Sequence, residues 1–264
     1  MLRDYTTLTL SVDSFVAEIV LDQPSSRNIF THVMHAELAH AFMTVRSMPS
    51  IRSVVFAANG TFFSAGGDFE LILSESKRPD RRAEMMQAAR SLFLSVVECP
   101  FPVIAALQGE AIGLGATLAL GCDAIVAAQT ARISDPHVVI GLVAGDGGCV
   151  LWPQTVGILR AKRYLLTGDK LTASEAYAMG IVSDLVETSD AVRGAARALA
   201  GRIAALPPLA VQLTKRALTQ GLRQRMEEVF DLAINFEVDT ILSEDVLEAI
   251  TALREKRQGQ YTGK

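Results

Sequence analysis

Phe62-Phe63-Ser64-Ala65-Gly66-Gly67-Asp68-Phe69 and Gly109-Glu110-Ala111-Ile112-Gly113-Leu114-Gly115-Ala116-Thr117 are the two stretches on which the reading of this chain turns. Each follows an apolar run that reads as a buried strand, residues 51–57 before the first and 103–107 before the second. Adjacent glycines let a ligand approach the main chain, and N–H groups exposed at such a bend can receive a developing negative charge. The second stretch also opens a helix, whose N-terminal dipole favours an oxyanion. Neither carries the Lys-Ser/Thr ending of a phosphate-cradling loop or a dinucleotide fingerprint in its proper place. Each alone also reads as a tight turn. Paired after consecutive strands, they point to one ligand site.

Outward from these loops the chain alternates strands and helices. Residues 5–11 and 14–21 read as a hairpin turning at Asp13-Ser14, which leads into the loop Gln23-Pro24-Ser25-Ser26-Arg27-Asn28. Met34, Leu38, Ala41, Phe42 and Val45 recur at helical spacing within 31–47, and 81–97 reads as a second helix ending before Pro100 and Pro102. Residues 124–128 form another strand. This order implies an α/β fold with parallel pairing, in which ligands collect at the loops after the strand ends. Beyond Gly147 the chain turns helical, over 160–167, 172–179, 190–205, 208–220 and a long segment 222–257. Its apolar stripe (Met226, Phe230, Ala233, Phe236, Ile241, Val246, Ile250) is wider than a lone surface helix needs, so it is expected to pack on the core and on a neighbouring subunit.

Composition excludes several classes. Twenty-five basic against 29 acidic residues give a net charge of −4 without a basic stripe, so nucleic acid is not an expected partner. No run approaches the roughly 18 apolar residues of a spanning helix, and the N-terminus lacks the basic start and apolar segment of a secretory signal, so it reads as mature folded sequence and the expected location is the cytoplasm. Cys99, Cys122 and Cys149 are odd in number and sit in apolar contexts, which fits reduced buried thiols.

With these landmarks the sequence resembles the crotonase, or enoyl-CoA hydratase/isomerase, superfamily. The resemblance runs through Arg27-Asn28, Ser64-Ala65-Gly66-Gly67-Asp68, Ala105-Ala106-Leu107-Gln108-Gly109, Gly113-Leu114-Gly115-Ala116 and Leu118-Ala119-Leu120-Gly121-Cys122-Asp123, then Gly141-Leu142, Gly147-Gly148, Ala161-Lys162, Thr167-Gly168, Gly180-Ile181-Val182 and Lys215. It implies a spiral of repeated ββα units over 1–200, a helical trimerisation region over 201–264, and a homotrimer or a hexamer of paired trimers. It also implies an oxyanion hole made by the N–H groups of Gly67 and Leu114. Ser26, Arg27, Ala65 and Asp68 match positions lining the coenzyme A groove, and Lys215 a residue that reaches its phosphates. Coenzyme A would enter as part of a substrate thioester, with no tightly bound cofactor and no metal.

The family's hydratases move protons with two glutamates, and Thr117 and His137 occupy the matching positions here. Threonine titrates far too high for a base, and histidine brings a different pKa and geometry. What the chain offers is Ser134-Asp135-Pro136-His137 followed by Gly145-Asp146-Gly147-Gly148, in which Asp146 could orient His137 as a general base or simply cap the helix that follows. The His/Asp pair resembles that of 6-oxocamphor hydrolase, a crotonase relative that cleaves a β-diketone without coenzyme A, and Glu237 lies where that enzyme has a contributing glutamate. His35 and His40 could supply a further imidazole, but five apart on the first helix they do not share one face well, and one or both reads as an ordinary surface residue. Three functions follow: an acyl-CoA enzyme of the hydratase/isomerase type with the unusual set His137/Asp146, a coenzyme-A-independent C–C hydrolase of a β-diketone, and a non-catalytic acyl-CoA-binding or scaffold member.

Overall fold

The computed structural model describes residues 4–264; Met1–Arg3, the start of the segment expected to be folded, lie outside them. Strands β1 (Leu8–Asp13) and β2 (Val16–Leu21) form the expected hairpin, and helix α1 (His32–Arg46) follows. Thr31 caps α1 by accepting the Met34 N–H. Next come β3 (Ser53–Ala58), β4 (Phe62–Ser64), α2 (Phe69–Glu75), α3 (Arg82–Val97), β5 (Val103–Leu107), β6 (Glu110–Ile112), α4 (Leu114–Leu120), β7 (Ala124–Ala128) and β8 (Arg132–Ser134). The C-terminal half holds α5 (Gly148–Val156), α6 (Ile158–Leu165), β9 (Leu171–Thr172), α7 (Ala173–Ala178), β10 (Asp184–Val186), α8 (Ser189–Ala204), α9 (Pro208–Ile241) and α10 (Glu244–Glu255).

The strands make two sheets, one of six in the order β1-β2-β3-β5-β7-β10 and one of four in the order β4-β6-β8-β9. Each turn of the chain gives one strand to each sheet: β3 then β4, β5 then β6, β7 then β8. These repeats are parallel within their sheets, so the chain climbs as a spiral of ββα units. The short strands β4, β6 and β8 escape sequence reading because three residues cannot display an alternation, yet they hold the glycine loops side by side. Strands β3, β5 and β7 are almost wholly buried, as apolar parallel strands covered on both faces must be.

Beyond Gly147 the structure departs from the helical reading at β9 and β10, which pair with β8 and β7, and again in the last helices. Instead of a break near Gly221, one 34-residue helix runs from Pro208 to Ile241. A single glycine costs a helix only about 1 kcal/mol, which packing overrides. The break comes at Ser243, whose hydroxyl accepts the Val246 N–H and starts α10. Met226, Phe230, Ala233, Val246 and Ile250 are buried as expected, while Phe236 is exposed. No helix among the described residues is long and apolar enough to cross a membrane.

Candidate active site

Both glycine loops open on one cavity of about 480 Å³, walled by Gly66, Gly67, Gly113 and Leu114 and otherwise mostly by apolar side chains of α1, α2, α3 and α9. Phe30 makes a single bridge to the first loop: its N–H donates to Gly66 O at 2.8 Å and its carbonyl accepts from Asp68 N at 3.4 Å. That pairing skips Gly67, whose own N–H has no protein acceptor among the described residues. The Leu114 N–H, first in α4, is likewise unpaired, as helix geometry requires of a first turn. Gly66 must be glycine, since it adopts φ +88° and a Cβ there would lie 2.8 Å from Ile112 O. Gly115 lets the loops touch, because a Cβ would meet Ser64 Cβ at 2.7 Å.

Beside the second loop stands a cluster of acids around one imidazole. His137 begins a short 3-10 turn after β8. Its Nδ1 lies 2.5 Å from Oδ1 of the fully buried Asp135, and its Nε2 lies 3.5 Å from Asp146 Oδ2. Asp146 also accepts the Thr117 hydroxyl at 3.1 Å. The N-cap of α5 is Gly147, and Asp146 just before it accepts the Gly148 N–H at the helix start as well as reaching Thr117 and His137. Glu237 arrives from α9, and one ligand atom from each of His137, Asp146 and Glu237 lies within 4.8 Å of the others. All three line the cavity. They are the one group among the described residues whose spacing could hold a metal ion. Two carboxylate oxygens, Asp135 Oδ2 and Glu237 Oε2, are buried without a hydrogen-bond partner.

Glycines make this crowding possible. A Cβ on Gly145 would collide with Ala233 O and lie 2.7 Å from Glu237 Cβ, and one on Gly148 would strike Asp135 Oδ2. Burial alone would push the His137 imidazole down, but the charges of Asp135 and Asp146 and the Asp135 hydrogen bond hold it well above the ordinary value. The surrounding acids thus favour its charged form, where the sequence reading allows a neutral base. Burial, with the Asp135 charge adding, raises Asp146. Burial first and Asp146 second push Glu237 up to about 8.

The other expected residues scatter. Ala65 and Asp68 line the cavity. Asp68 also caps α2, accepting the Glu70 N–H at 3.0 Å. Ser26 and Arg27 lie in the neighbouring loop, where the Arg27 carbonyl accepts Ala65 N–H at 2.9 Å and its guanidinium sits 5.1 Å above the Phe62 ring. Lys215 is not brought to the cavity: its buried Nζ donates to Phe101 O at 2.9 Å and to Asp123 Oδ2 at 2.5 Å. Of the three helix-α1 histidines, His40 bonds the Tyr5 hydroxyl at 2.9 Å and His35 lines the cavity, so neither of these two is a bare surface residue. No cysteine is in a disulfide, and burial raises Cys99 and takes Cys149 to about 11, so both stay thiols. Sequence reasoning missed Asp135 as the imidazole's partner; its place two residues before His137, in a turn, was the available signal.

A sequence profile of the enoyl-CoA hydratase/isomerase family matches residues 12–264. The chain belongs to the enoyl-CoA hydratase/isomerase family. It is 32% identical over 259 residues to 2,3-dehydroadipyl-CoA hydratase of Escherichia coli, covering 97% of this chain and 99% of that one. It is 30% identical over 255 residues to 1,2-epoxyphenylacetyl-CoA isomerase of the same organism, covering 96% and 97%. The crystal structure of an enoyl-CoA hydratase/isomerase from Mycobacterium paratuberculosis superposes with a TM-score of 0.89 at 34% identity, over 94% of this chain and 99% of that one. Within the enoyl-CoA hydratase/isomerase family, then, near-equal likeness extends to proteins named for different reactions, and the side chains of the site have to discriminate.

Proposed function

We propose that this protein acts on a coenzyme A thioester, receiving the enolate oxygen between the N–H groups of Gly67 and Leu114 while Asp146, Glu237 and His137 move the protons. One observation carries the reading: the two unpaired amides and the three proton-bearing side chains face the same cavity. Two amide donors aimed at a developing oxyanion in a water-poor site are worth several kcal/mol to the transition state. On a 2-enoyl thioester the enolate forms when a base takes a proton from the γ-carbon, or from water as it adds to the β-carbon, and quenching it returns a proton to the α-carbon. The Asp146 carboxylate serves the first step, and Glu237, protonated below about pH 8, serves the second. The His137 imidazolium, fixed by Asp135, holds the negative charges together. Ser26, Arg27, Ala65 and Asp68 line the coenzyme A groove in this reading. Lys215 is left out, because its ammonium is committed to Asp123 and Phe101. The assembly is a trimer or hexamer, and the exposed Leu209, Leu213 and Leu218 of α9 suit burial against a neighbour.

The His137 position favours one second reading, hydrolysis of a C–C bond in a β-diketone. There water adds to one carbonyl, the bond between that carbon and the α-carbon breaks, and its electron pair becomes the enolate held by the two amides. A proton from the His137–Glu237 cluster then completes the product. Steady-state assays separate the two: turnover of 2-enoyl-CoA thioesters, lost in Asp146→Asn, supports the first, and cleavage of a cyclic 1,3-diketone without coenzyme A supports the second. No turnover of either, with no thermal shift on adding acyl-CoA, would remove both.

A further inference from the structure

The same cavity has a second polar stretch that the proton chemistry does not use. Glu75 lines it although only 4% exposed. Its Oε1 takes Arg81 Nη1 at 2.6 Å and His32 Nε2 at 3.2 Å, whereas Oε2 is buried with no partner. An unpaired buried carboxylate oxygen is costly, and a ligand donor would relieve it. Beside it on α1, His35 lines the cavity and makes no side-chain hydrogen bond among the described residues, only an edge-on contact with the Phe30 ring at 5.6 Å between centroids. Burial, and then the neighbouring His32, take its pKa down to about 4, so it is a neutral imidazole offering one N–H and one lone pair.

Two measures place this stretch relative to the oxyanion amides. Ile72 of α2 is the side chain nearest a Cβ built on Gly67, at 3.7 Å, and Glu75 lies three residues further along the same helix face, roughly 4.5 Å along the axis. Phe30 spans the other route, its main chain bridged to Gly67 and its ring against His35. A substrate whose carbonyl sits at Gly67 and Leu114 therefore reaches Glu75 and His35 several bonds further on, across apolar wall.

We infer that the acyl part of the substrate carries a hydroxyl several bonds from the carbonyl, which donates to Glu75 Oε2 and accepts from the His35 N–H. A hydroxyl satisfies both partners, whereas a keto oxygen leaves the carboxylate unpaired, a carboxylate is repelled by it, and a plain alkyl end leaves both unmet. Glu75 and His35 are thus specificity-determining residues. The inference rests on the thioester reading for its substrate, but its test need not.

With (E)-2-enoyl-CoA thioesters of six, eight and ten carbons, each plain and ω-hydroxylated, kcat/KM should favour a hydroxylated member by about ten-fold or more. The preference should vanish in His35→Phe and in Glu75→Ala. His35→Phe is the safer variant should loss of the Arg81 pair unsettle α2. Independently of coenzyme A, phenol should bind the protein about ten-fold tighter than its isostere toluene by calorimetry. That difference should persist in Asp146→Asn and be lost in His35→Phe. Equal binding of phenol and toluene, or a difference that survives both the His35 and Glu75 variants, overturns the inference. Failure of every thioester with the phenol preference intact overturns the thioester reading alone.

Discussion

Glu37 and Glu237 are both buried glutamates on helices, and their surroundings send them opposite ways. Glu37 accepts the main-chain N–H groups of Thr6 and Thr7 at 3.0 and 2.8 Å and both threonine hydroxyls at 3.0 and 2.7 Å. Burial pulls its pKa up, but those hydrogen bonds outweigh it and hold the carboxyl below its usual range. Glu237 faces Asp146 and Asp135, keeps one oxygen unpartnered, and is pushed up to about 8. The first ties the N-terminal hairpin to α1 and is fixed in charge. The second is poised to exchange a proton. Burial therefore says little about role, and hydrogen-bond saturation says much.

The sharpest way to break that contrast is at the unsaturated cluster. Asp146→Asn should lower kcat on the active thioester by about a hundred-fold or more while leaving the unfolding midpoint near native, since asparagine can still accept the Thr117 hydroxyl. A variant that keeps full activity would dissolve the proposed machinery. At the saturated site the cost should fall on folding: Glu37→Ala leaves four donors without their acceptor and should lose about 3 kcal/mol in denaturant titration, with the remaining folded molecules fully active.

The pH dependence sharpens it further. The raised Glu237 means that folding is penalised progressively as pH climbs from its unfolded value near 4.5 to about 8, and fully beyond. Glu237→Gln should raise Tm at pH 8.5 relative to native and have little effect at pH 4, where the native side chain is already neutral. Glu37 has the opposite sign: its contribution is present above the unfolded value and fades as pH falls through its lowered one. With Glu237 as the acid, activity should decline as pH rises through about 8; an activity that instead climbs through that range would return the base role to His137. The smallest expected effect is none at all: dialysis against EDTA should leave kcat unchanged, and a loss restored by a divalent ion would reassign His137, Asp146 and Glu237 as ligands.

The strand–helix alternation was legible because it rests on local signals, whereas the spiral was implied by the family resemblance. The strands over 103–107 and 124–128, the first helix with its Thr31 cap, and the glycine pairs each announce themselves within a few residues. The three-residue strands stayed hidden, since their pairing is decided by distant partners. The site was half legible. Gly67, Leu114, His137, Asp146 and Glu237 do meet at one cavity, but the hand that grips the imidazole belongs to Asp135, and geometry alone ranks it above Asp146. Lys215 shows the converse: position in a pattern suggested a phosphate contact, and only the fold reveals Asp123 and Phe101 already holding it. Glu75 carries no sequence signal, because an unmet oxygen exists only once everything else has found a partner.

Gly145 has no side chain because α9 passes where one would be, and Glu237 rides on that helix. The acid and the glycine are thus a single packed unit split across distant stretches of the chain. Enlarging residue 145 should act as a wedge that swings the carboxyl out of reach without touching any reacting group. Anyone diversifying this enzyme should mutate the two together, because libraries that randomise either alone will mostly sample broken geometries.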